Sequence, residues 1–335
     1  MSQSKLFVVG DHHIRDQTYD ILAATEGVSS ISYADFLKDQ RVIASGSPVF
    51  MTFPYSLWDR TIEIGDCLYG TALFGLRIKD LSDQFVEQTN KRFPSAIFVN
   101  PPNGILIDRD KIKAKNVVQN AGFQVTRDLP KDFRTLNEHI QEGGYVYIKP
   151  RYGSMGKGIT YLSKDRWTTN FRLNDGVLKN HSDDLSWEEI DITDQSDLIK
   201  RILDEDFIVE AGVINPKVNG AKLDLRVRTL FSDVLEDLSY GRRTTNSSIT
   251  SASQGGQRIP LDQIGQYIPE RVIPESIKLA LGVAKALGLN YAGCDVLFQG
   301  DEFTPIFLEV NSFPRIKVGE DIPKRILDHL ERLKE

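Results

Sequence analysis

The sequence predicts an α/β protein of mixed, α+β character, and three observations predict it. Short apolar runs that stop at glycine or proline alternate with stretches of helical spacing over the first hundred residues. A glycine-rich loop joins two strand-like runs in the middle of the chain, and four further strand-like runs surround one helix in the last third. The 335 residues hold 40% hydrophobic and 26% charged side chains, an ordinary globular composition for which two or three domains are expected.

Each element has a local reason. The apolar run 6–10 feeds Asp11, His12 and His13 and reads as a buried parallel strand entering a loop. Runs 49–53 and 96–100 repeat the pattern, and Leu81, Phe85 and Gln88 space a helix between them, giving an α/β domain over residues 1–104. The run Asn-Pro-Pro-Asn-Gly at 100–104 reads as a breaker and a domain boundary. A helix capped by Asp108 or Asp110 then runs to Ala121 and Gly122. Strands at 145–149 and 159–162 flank the loop 150–158 and complete a unit of residues 105–205. Strands at 207–213, 223–231, 293–299 and 305–311, with a helix from Pro274 to Gly288, form a third unit, 206–335.

Charge and cysteine usage exclude several function classes. Lys plus Arg (41) against Asp plus Glu (47) gives a net charge of −6, so neither nucleic acid nor a membrane surface is an expected partner. Cys67 and Cys294 match neither a disulfide framework nor zinc-ligand spacing. With no secretory pattern and no apolar stretch of about 20 residues, a cytoplasmic protein is expected.

The chemistry concentrates in three places. In the segment 293–314, Ile306, Leu308 and Val310 alternate with Phe307, Glu309 and Asn311, so one strand face is aliphatic and the other ends in a carboxylate and an amide. If the turn 300–304 folds these runs symmetrically about Glu302, Asp295 falls opposite Glu309, with Cβ atoms about 4.5–5.5 Å apart. Facing carboxylates repel unless a positive group lies between them, and a divalent cation meets that need. Oxygen-only donors suit a hard ion such as Mg²⁺. Asp295, Glu309 and Asn311 are therefore candidate metal ligands; a surface hairpin with solvated acids is the other reading, since a bulge would part the pair.

The second place is the loop after Lys149. Gly153, Gly156 and Gly158 let backbone N–H groups approach an anion, and Lys149 and Lys157 add charge, although the spacing is not that of a P-loop. An ordinary glycine-rich hairpin is the alternative. The third is Leu-Asp-Leu-Arg-Val-Arg-Thr at 223–229, where alternation puts Asp224, Arg226 and Arg228 on one face, either to hold carboxylate or phosphoryl oxygens or as a solvated, ion-paired face.

Taken in order, the chain presents a helix bearing Lys111, a strand ending in Lys149, the glycine loop, Phe-Ile-Val-Glu at 207–210, the Asp/Arg strand, and finally Asp295, Glu309 and Asn311. In this order it resembles the ATP-grasp superfamily, more narrowly the RimK and glutathione synthetase-like carboxylate–amine ligases, over roughly residues 100–315. Gly-Cys-Asp-Val-Leu and Phe-Leu-Glu-Val-Asn-Ser-Phe-Pro are the most specific stretches. The resemblance implies an ATP-grasp fold behind an N-terminal Rossmann-like pre-ATP-grasp domain.

By the same resemblance, Lys111 and Lys149 bind ATP phosphates beneath Gly153, Ser154, Gly156, Lys157 and Gly158. Glu210, Ala211 and Val213 form the adenine strand, with Asp224 near the ribose. Asp295, Glu309 and Asn311 hold two Mg²⁺ ions, with Mn²⁺ as a substitute, and Arg226 contacts phosphate or the acyl group. The implied reaction activates the carboxylate of an amino acid or peptide as an acyl phosphate for attack by an amine, less often a thiol, and the implied assembly is a homo-oligomer. A small-molecule kinase and a non-catalytic nucleotide-binding protein are the alternatives.

One departure from the family pattern stands out. Members of the RimK type carry Arg-x-Asn just before Gly-Gly, whereas here Gly255-Gly256 follow Ser-Ile-Thr-Ser-Ala-Ser-Gln, which leaves Arg242 and Asn246 as the candidates for the γ-phosphate contact. His12 and His13 either line an acceptor pocket or are loop histidines, and residues 53–58 either form an aromatic lip or pack between domains.

Overall fold

The computed structural model describes the chain apart from residues 1–5, 15, 39–47, 62–70, 93–94, 154–155, 181–188, 217–219, 246–248, 251–255 and 333–335. Cys67, Ser154, Asn246 and Gly255 lie outside the described residues.

Three principal sheets organise the molecule. The first is parallel, in the order Val28–Ile31, Leu6–Val9, Pro48–Met51, Ile97–Phe98. Its strands at Leu6–Val9 and Pro48–Met51 are almost wholly buried, as continuous apolar runs require in a sheet covered on both faces. Between the third and fourth strands runs the helix Ala72–Arg92. The Asn-Pro-Pro-Asn-Gly run, read as a breaker, instead starts a helix, Pro102–Arg109. Proline is tolerated in a first helical turn, where its missing N–H has no intrahelical partner to lose. Asp110 then caps the helix Lys111–Asn120 by accepting from the N–H groups of Ile112 and Lys113 at 3.2 and 3.3 Å.

The second sheet is antiparallel, in the order Ile190–Asp191, Trp167–Thr169, Thr160–Leu162, Val146–Pro150, Phe207–Ala211. The helices Phe133–Gln141 and Ser196–Leu203 bury Leu136, Ile140, Leu198 and Ile202 against Val146, Ile148 and Leu162. The strand Phe207–Ala211, expected in the third unit, pairs along its whole length with Val146–Pro150 and so belongs to this sheet.

The third sheet runs Gln257–Pro260, Tyr240–Thr244, Lys222–Leu230, Tyr291–Gln299, Thr304–Asn311. Leu223, Leu225 and Val227 turn into a core with Leu279, Ala280 and Val283 of the helix Val272–Ala286, which leaves the alternate residues of that strand for the opposite face. The C-terminal helix Ile322–Arg332 leaves this region and buries Ile322, Ile326 and Leu330 beside Leu6, Val8 and Leu22, so the first sheet shares a core with the last helix.

The hairpin that closes the third sheet corrects the expected symmetry. Gln299 faces Thr304, so the loop has four residues and its centre falls between Asp301 and Glu302. That register alone would put Asp295 opposite Leu308. A β-bulge between Val296 and Asp295 passes over Leu308 and brings Asp295 opposite Glu309. The same irregularity breaks the expected alternation: Phe307 joins Val310 in the core, while Leu308 lines a cavity with Glu309 and Asn311. The Phe307 N–H donates to the Gln124 carbonyl at 2.9 Å, an anchor outside the hairpin. Among the described residues no helix is long and apolar enough to cross a membrane.

Candidate active site

A cavity of about 660 Å³ opens where the second and third sheets meet the segment that follows the third strand of the first sheet. Among the described residues eleven basic and five acidic side chains line it, a cationic concentration inside a chain whose net charge is −6.

The third sheet supplies a charged ladder. Across its strands Glu309 faces Asp295, Asp295 faces Arg226 and Arg226 faces Tyr240; in the next row Asp224 faces Arg242, which faces Arg258. Arg226 grips Asp295 with both prongs of its fork, Nε to Oδ1 at 2.5 Å and Nη2 to Oδ2 at 2.6 Å. Arg242 does the same to Asp224, at 2.8 and 2.6 Å, and extends Nη2 to Oδ2 of Asp295 at 2.9 Å. Burial would raise the Asp295 carboxyl, but the Arg226 and Arg242 charges outweigh it and hold the group at about 2. Glu309, with a third of its side chain exposed, is pushed above its ordinary value by burial and by the Asp295 charge.

These contacts bear on metal binding. Glu309 has unneutralised charge at the cavity wall and Asn311 stands two residues on, a hard-donor pair of the kind Mg²⁺ takes. Asp295 does not fit as it stands, because both its oxygens already accept guanidinium N–H groups. The positive charge expected between the two facing acids is thus arginine. Among the described residues no three acidic, histidine or cysteine side chains are grouped so as to hold a metal.

Asp224 departs from the ribose contact that the resemblance implies. It is fully buried, lies behind the cavity wall, and its carboxylate is taken up by Arg242 and the Thr250 hydroxyl.

The second sheet and the helix Lys111–Asn120 bring a cluster of lysines. Glu210 accepts from Lys149 at 2.6 Å, Lys115 at 2.8 Å and the Thr126 hydroxyl at 2.5 Å. Burial would raise Glu210, yet the two ammonium groups hold it at about 2. Lys111 donates to the Gly153 carbonyl, and burial lowers its pKa. Lys111, Lys149, Gly153, Gly156, Lys157, Glu210, Ala211 and Val213 all line the cavity. Gly158 does not, and packing explains it: at φ +71° a Cβ would come within 2.7 Å of the Pro150 ring and 3.1 Å of Phe171.

Residues 53–58 combine the two readings offered for them. Phe53, Tyr55 and Trp58 line the cavity, and Phe53 also packs edge-on against Phe313 with ring centroids 5.5 Å apart. His13 stacks on Tyr55 at 4.4 Å and His12 pairs with Asp20 at 2.8 Å; neither lines the cavity.

Several lining residues escape the sequence motifs. Lys222, which donates to the Tyr147 hydroxyl at 2.7 Å, begins the same alternation as Asp224, Arg226 and Arg228 and could have been read from it. Lys115 lies one helical turn beyond Lys111. Arg258, on a short edge strand after an irregular segment, carries no such signal.

The YheC/D like ATP-grasp family matches residues 125–332 of the chain. A probable alpha-L-glutamate ligase of Pseudoalteromonas translucida (strain TAC 125) is 28% identical over 243 residues, 70% of this chain and 67% of that protein. One of Photobacterium profundum is 35% identical over 86 residues, 24% of this chain and 28% of its own. Among solved structures, the ATP-grasp ligase PsnB complexed with minimal precursor, Mg and ADP superposes with a TM-score of 0.56 at 15% identity, covering 99% of this chain and 98% of that one. The macrocyclase MdnC bound with precursor peptide MdnA from Microcystis aeruginosa MRC gives 0.55 at 14%, covering 98% and 99%. At such identities the structures speak for the fold, and the family match spans well over half of the sequence. The chain belongs to the YheC/D-like ATP-grasp family.

Proposed function

We propose that this ATP-grasp enzyme is a carboxylate–amine ligase that activates an amino-acid or peptide carboxylate with ATP and passes the acyl group to an amine. The observation that carries the reading is the cationic cavity, walled on one side by the glycine loop with Lys111 and Lys149 and on the other by the ladder from Glu309 to Arg242. A triphosphate and a carboxylate are the ligands such a surplus of cations suits. The names of the relatives and the peptide-bound neighbours favour a peptide or amino-acid substrate.

In this reading a carboxylate oxygen attacks the γ-phosphorus and ADP leaves; an amine then attacks the acyl carbon, phosphate departs and the amine loses a proton. Lys111 and Lys149 steady the phosphates, Arg226 meets the transferring phosphoryl or acyl group, and the loop from Gly153 excludes water. ATP with Mg²⁺ is the cofactor pair; two ions, with Mn²⁺ as substitute, are its finer form. Residues 1–104 supply the acceptor side, 105–205 the loop and 206–335 the ladder. A cytoplasmic setting and a homo-oligomeric state belong to the same proposal.

The test is ATP turnover with Mg²⁺ over pooled amino acids and short peptides, reading ADP, phosphate and product mass together, with Glu309→Gln as control. Substrate-dependent ADP with matching phosphate and a condensed product supports the ligase. ADP without free phosphate, with a phosphorylated product, replaces it by a kinase; nucleotide binding with no turnover on any substrate replaces it by a non-catalytic protein.

A further inference from the structure

Building on the ligase reading, we infer that Arg226 is a latch that keeps Asp295 closed to a divalent cation until the nucleotide's phosphates enter the cavity and draw its guanidinium away. Asp295 is fully buried and accepts three N–H groups, two from Arg226 and one from Arg242, so neither oxygen is open. A Mg²⁺ ion at that carboxylate would stand about 2.0–2.1 Å from an oxygen, on ground the guanidinium nitrogens now hold. Within a buried site, the repulsion between a dication and two guanidinium groups is weakly screened. Asp295 therefore exchanges one cation for the other.

The two arginines differ in what remains to them after that exchange. Arg242 keeps its fork on Asp224 and gives up only the one bond to Asp295. Arg226 has Asp295 as its sole close carboxylate among the described residues, with Glu309 next at 4.0 Å. A buried guanidinium that loses its only partner is strongly disfavoured, so Arg226 leaves only toward another anion. It lines the cavity with a fifth of its side chain exposed, so phosphate oxygens reach it without unpacking the sheet. The fork passes from a carboxylate to phosphoryl oxygens, both of which it fits in a bidentate manner. Nucleotide thus precedes or accompanies the metal, and the bare chain leaves Asp295 out of any metal site.

The probe is Mn²⁺, followed by its free-ion electron paramagnetic resonance signal on the full chain, with and without AMPPNP. In the absence of nucleotide, Arg226→Gln is expected to bind Mn²⁺ about tenfold or more tightly than wild type, a coupling of ordinary allosteric size, and Arg226→Lys to fall between them. Equal nucleotide-free affinity in wild type and Arg226→Gln overturns the latch. Should Arg226→Gln fail to fold, wild type decides: in EDTA, AMPPNP alone must shift the Arg226 Nε–H resonance, assigned by its loss in Arg226→Lys, and an unmoved resonance overturns the inference. Calorimetry with AMPPNP separates the two proposals. If AMPPNP does not bind, the ligase reading fails, and tripolyphosphate then serves as the anion that must move Arg226.

Discussion

Glu210 illustrates how much a single buried carboxylate can carry. It sits where the helix Lys111–Asn120 crosses the second sheet, and it pairs with Lys115 and Lys149 at once. Removing its charge takes the carboxylate partner from Lys149 and leaves Lys115 with the exposed Asp128, so Glu210→Gln is expected to cost about 3–5 kcal/mol, measured by urea denaturation at neutral pH. The pH dependence has a definite sign. Its folded value of about 2 lies below the ordinary 4.5, so its contribution is fully present above about 4.5 and is lost as pH falls from there through 2. That contribution is roughly 3 kcal/mol, at about 1.4 kcal/mol for each tenfold change in proton affinity. Stability measured from pH 7 down to 3 should fall more steeply in wild type than in Glu210→Gln. The variant should keep part of the slope, because Asp295, also held at about 2, loses its proton-linked stabilisation in an overlapping window.

Among the elements, the helix Val272–Ala286 carries a glycine that helix propensity alone would replace. Alanine is ordinarily worth about 1 kcal/mol over glycine inside a helix. At Gly282 the added methyl would fall 2.0 Å from the Phe123 ring, which packs against the same core. Gly282→Ala is therefore expected to destabilise by about 1–3 kcal/mol and to lower the melting temperature, reversing the sign that propensity gives. The same contrast between local and long-range causes explains what the sequence discloses. Strands at 6–10, 49–53 and 223–231 are legible because their apolar residues are contiguous or alternate, and the helix after Asp110 because its cap is a short-range hydrogen bond. The pairing of Asp295 with Glu309 is legible only by a compensation: a turn one step tighter than expected is offset by the bulge at Leu308, beside which Phe307 is held by Gln124 from a distant part of the chain. The Arg226 and Arg242 contacts to Asp295 are inter-strand as well, so the residue types announce a charged face without saying which charges meet.

At the scale of the molecule, the first and third sheets are tied together by Asn100. Its side-chain N–H groups donate to the carbonyls of Tyr291 and Ser312, both at 2.7 Å, and its Oδ1 accepts from the N–H groups of Asn290 and Tyr291 at 2.9 and 2.8 Å. Four bonds from one buried amide satisfy the backbone on both sides of the strand that carries Asp295. Asn100→Leu strands those groups at about 1–3 kcal/mol each, and a loss of at least about 3 kcal/mol is expected. With the shared core of Leu6, Val8, Tyr291, Ile322 and Ile326, this linkage predicts that the first sheet and the ladder unfold in one transition, so tryptophan fluorescence and far-ultraviolet dichroism should coincide during denaturation. The bulge at Leu308 has an engineering use at this scale. Because the register step is taken up between the loop and the acids, and Phe307 is pinned from outside the hairpin, residues spliced between the exposed Asp301 and Glu302 would lengthen the loop without re-pairing Asp295. The hairpin tip is thus a handle for a fluorophore or a surface tether, joined rigidly to the charged ladder and chemically insulated from it.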